Sequence, residues 1–167
     1  MAVSPDIFKR GMRQLGSAVT VVTTIHDGRM GGLTATSVMS LNVDPPQLLA
    51  SVNNAGYTFD LIQKSRLLCV NVLSAAQIDI AKRFAGMLPI NEDNRFENLD
   101  VQTLETGAPV IKGALVAFDC RVSDVIQSGS HGLCISDIHD VHFNTHTTAP
   151  LLYMDGHFTT LAEPLLN

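Results

Sequence analysis

The sequence predicts a mainly β fold, a β-barrel with flanking helices, built as one domain over residues 1–167. Three observations carry this. Many short Val- and Thr-rich or alternating segments are punctuated by Gly and Pro. Only two or three stretches have helical spacing. Strands and helices do not alternate strictly, which disfavours a doubly wound parallel sheet. Apolar residues make up 46% and charged residues 16% of the 167 positions, enough to bury a core and too apolar for wholesale disorder.

Along the chain, Ser4 caps a short helix with Pro5 at its first position and Asp6 in its first turn. Ile7, Phe8, Met12 and Leu15 share one face, and Gly16 ends the helix. Ala18 to Ile25 reads as a strand, Asp27-Gly28 as a turn, and Gly32 to Leu41 as the returning strand of a hairpin and its exit. Asp44-Pro45-Pro46 stops that strand, because neither proline can donate a ladder hydrogen bond, and Gln47 to Val52 is a third strand. Tyr57 to Lys64 is a short helix and Leu67 to Leu73 a buried-type strand. Ser74 with Gln77 forms a capping box opening a helix through Phe84, which Gly86 closes.

Residues 87–98 are polar and read as a surface loop. Leu115 to Ile126 alternates, placing Val116, Phe118, Cys120 and Val122 inward and Asp119, Arg121 and Ser123 outward. Gly129 breaks the chain, Gly132 to Val141 returns, and Leu151 to Phe158 forms a last short strand or hairpin before the apolar tail with Leu161, Leu165 and Leu166.

Composition narrows the function classes. A net charge of −5 and only 11 Lys+Arg argue against a nucleic-acid backbone site, which needs dense positive charge. Aromatic residues are 5%, with no Trp, which argues against a stacking platform for single strands. No apolar run reaches a membrane span of about 20 residues, and the start shows no basic region followed by an apolar stretch. Cys69, Cys120 and Cys134 make neither a metal knuckle nor a disulfide framework, and read as buried thiols of a reducing, cytoplasmic compartment. His139, His142 and His146 lack a Cys or Glu to complete a metal set, so no metal is expected.

The most informative segment is Gly32-Leu33-Thr34-Ala35-Thr36-Ser37-Val38-Met39-Ser40-Leu41. Hydroxyls beside free backbone N–H groups can hold a phosphate without a lysine. The same composition also fits a Thr-rich edge strand. Its surroundings are Ser17 to Thr24, Asp44 to Asn53, Thr58-Phe59, Ala81-Lys82-Arg83-Phe84-Ala85, Ser128-Gly129-Ser130-His131 and Pro150 to Phe158. In this order and spacing, over residues 5–160, these pieces resemble the flavin reductase family with its FMN-binding split barrel. That family includes the small reductase components of two-component flavin monooxygenases of the 4-hydroxyphenylacetate type.

The resemblance implies a Greek-key split barrel, FMN or FAD as the flavin, and NADH or NADPH as hydride donor. It implies a homodimer and a separate monooxygenase that takes the reduced flavin. Thr34, Ala35, Thr36, Ser37 and Ser40, with Leu41, match the loop holding the ribityl phosphate and ring edge. Ser51, Val52 and Asn53 match the strand along the isoalloxazine, and Thr58 and Phe59 a helix start whose dipole favours phosphate. Arg83, Phe84 and Ala85 match the stretch completing the pocket, with Arg83 as phosphate partner. His131 matches the histidine of a Gly-Asp-His motif on the nicotinamide side, where it donates a proton or positions the donor, and Tyr153 lies near the same face.

This chain departs from the motif by carrying Ser130 in place of Asp and Ser136 where a later Gly often stands. Other uses of the same site are reduction of another acceptor, such as a cobalt corrin, and non-enzymatic flavin binding. A pyridoxine-phosphate-oxidase-like reading is disfavoured, since residues 30–63 contain no Lys or Arg.

Overall fold

The structure is a computed structural model and describes residues 3–146 and 149–161. Helix α1 (Pro5–Met12) begins where expected, with the Ser4 hydroxyl accepting from the Ile7 amide. It ends at Met12 rather than near Gly16, and the chain continues through turns to Ser17. The strands β1 (Ser17–Ala18), β2 (Thr20–His26) and β3 (Arg29–Ala35) follow. Asp27 and Gly28 both have positive φ, the geometry a two-residue turn needs to match strand twist, and β2 and β3 pair across it.

The expected long second strand is two strands, because Thr36 and Ser37 carry the chain from β3 into β4 (Val38–Val43). Pro45 lies in the turn to β5 (Pro46–Asn53), and Pro46 pairs with Val43, so the proline pair reverses the chain. Helix α2 (Tyr57–Ser65) leads to β6 (Leu67–Val72). The Ser74–Gln77 capping box opens a 3-10 turn that runs into helix α3 (Ile78–Phe84). A short pair, β7 (Val101–Thr103) and β8 (Pro109–Ile111), precedes the long strands β9 (Val116–Ser128) and β10 (His131–Phe143). The hairpin β11 (Leu152–Met154) and β12 (His157–Thr159) closes the described chain. Leu161 is exposed, and Leu165 and Leu166 lie outside the described residues.

One antiparallel sheet dominates, with strand order β3-β2-β6-β9-β10-β5-β4. Its two end strands, β3 and β4, are joined by Thr36 and Ser37 alone. A two-residue link spans at most about 10 Å, so the sheet must curl until its edges meet. The result is a barrel split between β3 and β4. The Ser51 amide donates to the Ser37 carbonyl at 2.9 Å, tying β5 to that link. β5 connects through α2 to β6 yet lies beside β10, a Greek-key arrangement. The expected mainly β split barrel with flanking helices is therefore the fold.

Inside the barrel, Val22, Leu48, Val52, Phe59, Ile62, Leu68 and Val70 form the main core. A second core under α3 joins Val19, Val21, Leu73, Phe84, Phe96 and Leu151.

Asp119 was expected to face solvent, and instead it is fully buried. The β7–β8 region folds over that face of the sheet, where Ala108 and Val110 pack on Cys69 and Ala117. The Asp119 carboxylate accepts from the amide and hydroxyl of Thr106, which satisfies it and pins the covering segment. Strict alternation presumed one dry face, whereas β9 is covered on both around Ala117 to Cys120. Arg121 and Ser123 are exposed as expected.

Candidate functional site

The split positions the site. Thr34 lies in β3 and Thr36 just beyond it in the link to β4; Ser51 and Asn53 lie two apart in β5. Residues two apart in a strand share a face. Thr34 and Asn53 line one cavity of about 380 Å³, and Thr36 and Ser51 line another of about 630 Å³. The two therefore adjoin on one face of the split.

The smaller cavity is walled by Gly56 and Thr58 at the start of α2, by Phe84 and Ala85 at the end of α3, and by Arg95. No side chain caps α2, so its first amide groups remain available for an anion. Arg95 donates to the Gly32 carbonyl at 3.0 Å and lies 3.5 Å from the Glu92 carboxylate. Its Nε is buried and has no partner among the described residues. A buried, unsatisfied guanidinium N–H beside an open helix terminus is the donor set an anionic group needs.

Thr34 plays a different part from the one expected. Its hydroxyl donates to the Ala81 carbonyl at 2.6 Å, so that proton is already committed to α3. Among the described residues no hydrogen bond ties down the hydroxyls of Thr36, Ser37 or Thr58, which stay free for a ligand.

The larger cavity brings together Thr36, Ser37, Ser51, His131 and Tyr153. His131 opens β10 opposite Asn53 of β5, so sheet register delivers it to this face. Its Nδ1 lies 2.9 Å from the Ser130 hydroxyl. The residue that replaces the expected Asp thus still holds the ring, as a neutral partner. Tyr153 packs edge-on against Phe158 at 5.4 Å and pairs with Ser17. Phe8, Lys9, Met12 and Arg13 of the α1 region form the outer wall.

Arg83 is not brought to either cavity. Its guanidinium donates to the carbonyls of Arg95 and Glu97, at 3.4 and 2.9 Å, and lines a separate surface hollow with Asn91 and Asn94. It faces the 87–98 segment and holds Arg95 in place, because it sits one residue before Phe84, whose ring points the other way into the core. Val52, Phe59 and Ala35 are buried and shape the site from beneath. Ser40 lines a third hollow of about 430 Å³ at the barrel mouth, which shares Thr36, and Leu41 is exposed on β4.

Arg95 and Glu92 escaped the sequence reading because their segment looks like a solvated loop. The signal was Phe96, an aromatic in a polar stretch, which is buried against Phe84 at 5.0 Å and seats Arg95 beside it.

Phe84 also explains a glycine. A Cβ on Gly32 would lie 2.6 Å from the Phe84 ring, so only glycine lets that ring wall the cavity. Gly132 plays the same part for Phe59, whose ring would lie 2.3 Å from an added Cβ.

The three cysteines are free and buried. Burial, aided by the Asp119 charge, pushes the Cys69 thiol well up and that of Cys120 to about 12. Burial raises Cys134 to about 11. None is a nucleophile near neutral pH. Among the described residues no group of three or more His, Cys, Asp or Glu is placed to hold a metal.

Comparison with known proteins agrees with this geometry. A family profile described as a flavin reductase like domain matches residues 12–162. The chain is 40% identical over 163 residues to an FMN reductase (NADH), RutF 2, of Methylorubrum extorquens, covering 98% of this chain and 93% of that one. Among solved structures, the flavin reductase PheA2 superposes with a TM-score of 0.88 at 31% identity, covering 96% of this chain and 100% of that one. A homolog of nitrilotriacetate monooxygenase component B from Mycobacterium thermoresistibile superposes with a TM-score of 0.88 at 28% identity, covering 97% and 90%.

Proposed function

The chain belongs to the flavin reductase-like family, and we propose that it reduces a flavin with NADH or NADPH and releases the reduced flavin to a separate monooxygenase. One observation carries this: a single face of the barrel split runs from an anion-holding end at Arg95 and α2 to an open end at His131 and Tyr153. The likeness to an FMN reductase (NADH) and to a nitrilotriacetate monooxygenase component B supports it.

When bound, the flavin supplies the acceptor for hydride from the nicotinamide. The chain supplies position and electrostatics. Arg95, the free amides of α2 and the Thr58 hydroxyl would hold the phosphate. Thr36, Ser37 and Ser51 would orient the ring with their hydroxyls, and Asn53 shapes the turn into α2 by accepting from the Ala55 amide at 2.9 Å. Phe84 and Ala85 close one side against water.

His131 and Tyr153 wall the open side, where a nicotinamide must stack within hydride reach. The Ser130 contact at Nδ1 leaves Nε2 of His131 as the nitrogen free to face a ligand. The site has few cations, so the grip on the flavin is modest and suits a flavin that departs.

The functional test mixes the protein with NADH or NADPH and then FMN, FAD or riboflavin, following the nicotinamide absorbance. Flavin-dependent oxidation is expected; none with any pair overturns the proposal. His131→Ala should raise KM for the nicotinamide and leave flavin Kd nearly unchanged, and equal loss of both would remove the role given to His131. We further propose a homodimer, with the exposed apolar face of α1 as one interface piece. A cytoplasmic location is proposed from the three free thiols.

A further inference from the structure

Asn54 lies in the turn between β5 and α2, and its neighbours Asn53 and Ala55 both line the anion-holding cavity. Its own hydrogen bonds run the other way. The backbone amide donates to the Ser130 carbonyl at 3.0 Å. The side-chain Nδ2 donates to the Gly129 carbonyl at 3.0 Å and to Gln127 Oε1 at 3.3 Å. All three acceptors belong to the β9–β10 hairpin.

That hairpin turns through Gly129 and Ser130 alone, since Ser128 and His131 pair across it. Gly129 has a φ of 58°, which suits glycine at the first position of a two-residue turn. The carbonyls of both turn residues lie beyond the last pair of the β9–β10 ladder, and Asn54 is the partner of each. Residues 126–131 are all exposed, so packing does not fix the turn. Hydrogen bonds must, or the turn belongs to the loosely held part of the fold.

The position of the turn decides how the His131 ring points. Pairing with Asn53 of β5 holds the His131 backbone. The group that meets the ring at Nδ1 is the Ser130 hydroxyl, 2.9 Å away and one residue beyond that pair. We propose that Asn54 is a positioning residue for hydride transfer. By fastening the Gly129-Ser130 turn it keeps the Ser130 hydroxyl on Nδ1 and so aims Nε2 of His131 at the open side. The inference rests on the role given to His131 and adds to it the residue that sets the ring. It also ties the two ends of the site together, because the segment that borders the anion cavity is the one that grips the turn.

Steady-state kinetics and flavin titration of Asn54→Ala and Asn54→Asp test this. Both variants lose the Nδ2 donor, and the aspartate keeps the shape of the side chain should the alanine chain fold poorly. The Asn53 contact with the Ala55 amide survives in each, so flavin Kd should stay within about twofold of wild type. KM for the nicotinamide should rise about three- to tenfold, the effect of one or two net hydrogen bonds, with a smaller change in kcat. Because the effect runs through the imidazole, adding Asn54→Ala to His131→Ala should raise KM by less than about twofold more, whereas independent changes multiply. An unchanged nicotinamide KM in both variants, full multiplication with His131→Ala, or a flavin Kd weakened as much as KM is raised overturns the role of Asn54 and leaves the flavin-reductase reading standing. A wild-type chain that oxidises no nicotinamide with any flavin, or an unchanged KM in His131→Ala, overturns the reading of His131 and that of Asn54 together.

Discussion

Arg95 and Arg83 illustrate how one residue's environment decides its role. Both are arginines near the same helix end. Arg83 has its N–H groups engaged by two backbone carbonyls, while Arg95 keeps a buried Nε unpaired. The unpaired group is the one that gains most from a ligand, since burial without a partner carries a desolvation cost of about 1–3 kcal/mol. Arg95→Gln is therefore expected to weaken FMN binding by about ten- to a hundredfold, as loss of a charged hydrogen bond does, and to leave riboflavin affinity within about twofold. Fluorescence titration of the two flavins reads the difference. Arg83→Ala should weaken FMN binding by less than Arg95→Gln does, through Arg95 alone, and lower stability by about 1 kcal/mol, seen as a reduced denaturant midpoint.

Cys120 makes a second residue-scale prediction, with a defined sign. Its folded-state pKa is raised, by burial first and by the Asp119 charge second, to about 12 from 9.0. Its thiol stays protonated in the fold at a pH where the unfolded chain has lost the proton. The stability contribution is complete below pH 9.0 and is lost progressively as pH rises toward about 12. Cys120→Ala should flatten the alkaline limb of a stability–pH curve measured by urea unfolding. Iodoacetamide should label none of the three buried thiols of the native chain at pH 8.

At the scale of elements, the strands that announce themselves locally were readable. The Asp27-Gly28 turn, the Ser74–Gln77 box and the alternation of β9 all depend on residues close in sequence. What was not readable depends on distant chain. Asp119 is buried because residues 106–110 fold over it, and nothing within β9 records that covering. Arg95 lines the candidate cavity because Phe96 docks on Phe84, a contact between a loop and a helix. Thr34 lines the candidate cavity, yet its proton goes to Ala81 of α3, which only the docked helix reveals.

Gly132 tests one such packing relation. It lies in β10 directly over Phe59 of α2, where an added methyl would sit 2.3 and 2.5 Å from ring atoms. Phe59 is itself 2% exposed and has no room to retreat. Gly132→Ala should cost about 1–3 kcal/mol of stability by overpacking. Because α2 also presents Gly56 and Thr58 to the anion, the same substitution should weaken FMN binding more than it weakens riboflavin binding. Thermal unfolding and flavin titration measure the two effects separately.

For the whole molecule, the open question is what covers β4. It is an end strand of the main sheet, and Met39, Leu41 and Val43 are 59%, 44% and 85% exposed along it, on either side of a bulge between Ser40 and Asn42. Exposed apolar residues scattered singly need no explanation, but three within five residues of an end strand invite association. The α1 helix adds Ile7, Phe8 and Met12, none of them buried, and this helix walls the His131 cavity. Both surfaces border the split, and a second copy of the chain that covered them would also enclose the open end of the site. Sedimentation equilibrium should give twice the 18.0 kDa chain mass. Val43→Glu tests the surface itself: at 85% exposure it should change the stability of a lone chain by no more than about 0.5 kcal/mol. In a dimer it places a charge in an apolar contact, so the variant should dissociate at concentrations where the wild type does not. A wild-type species at the single-chain mass would rule the dimer out, and a Val43→Glu dimer as tight as wild type would move the interface away from β4.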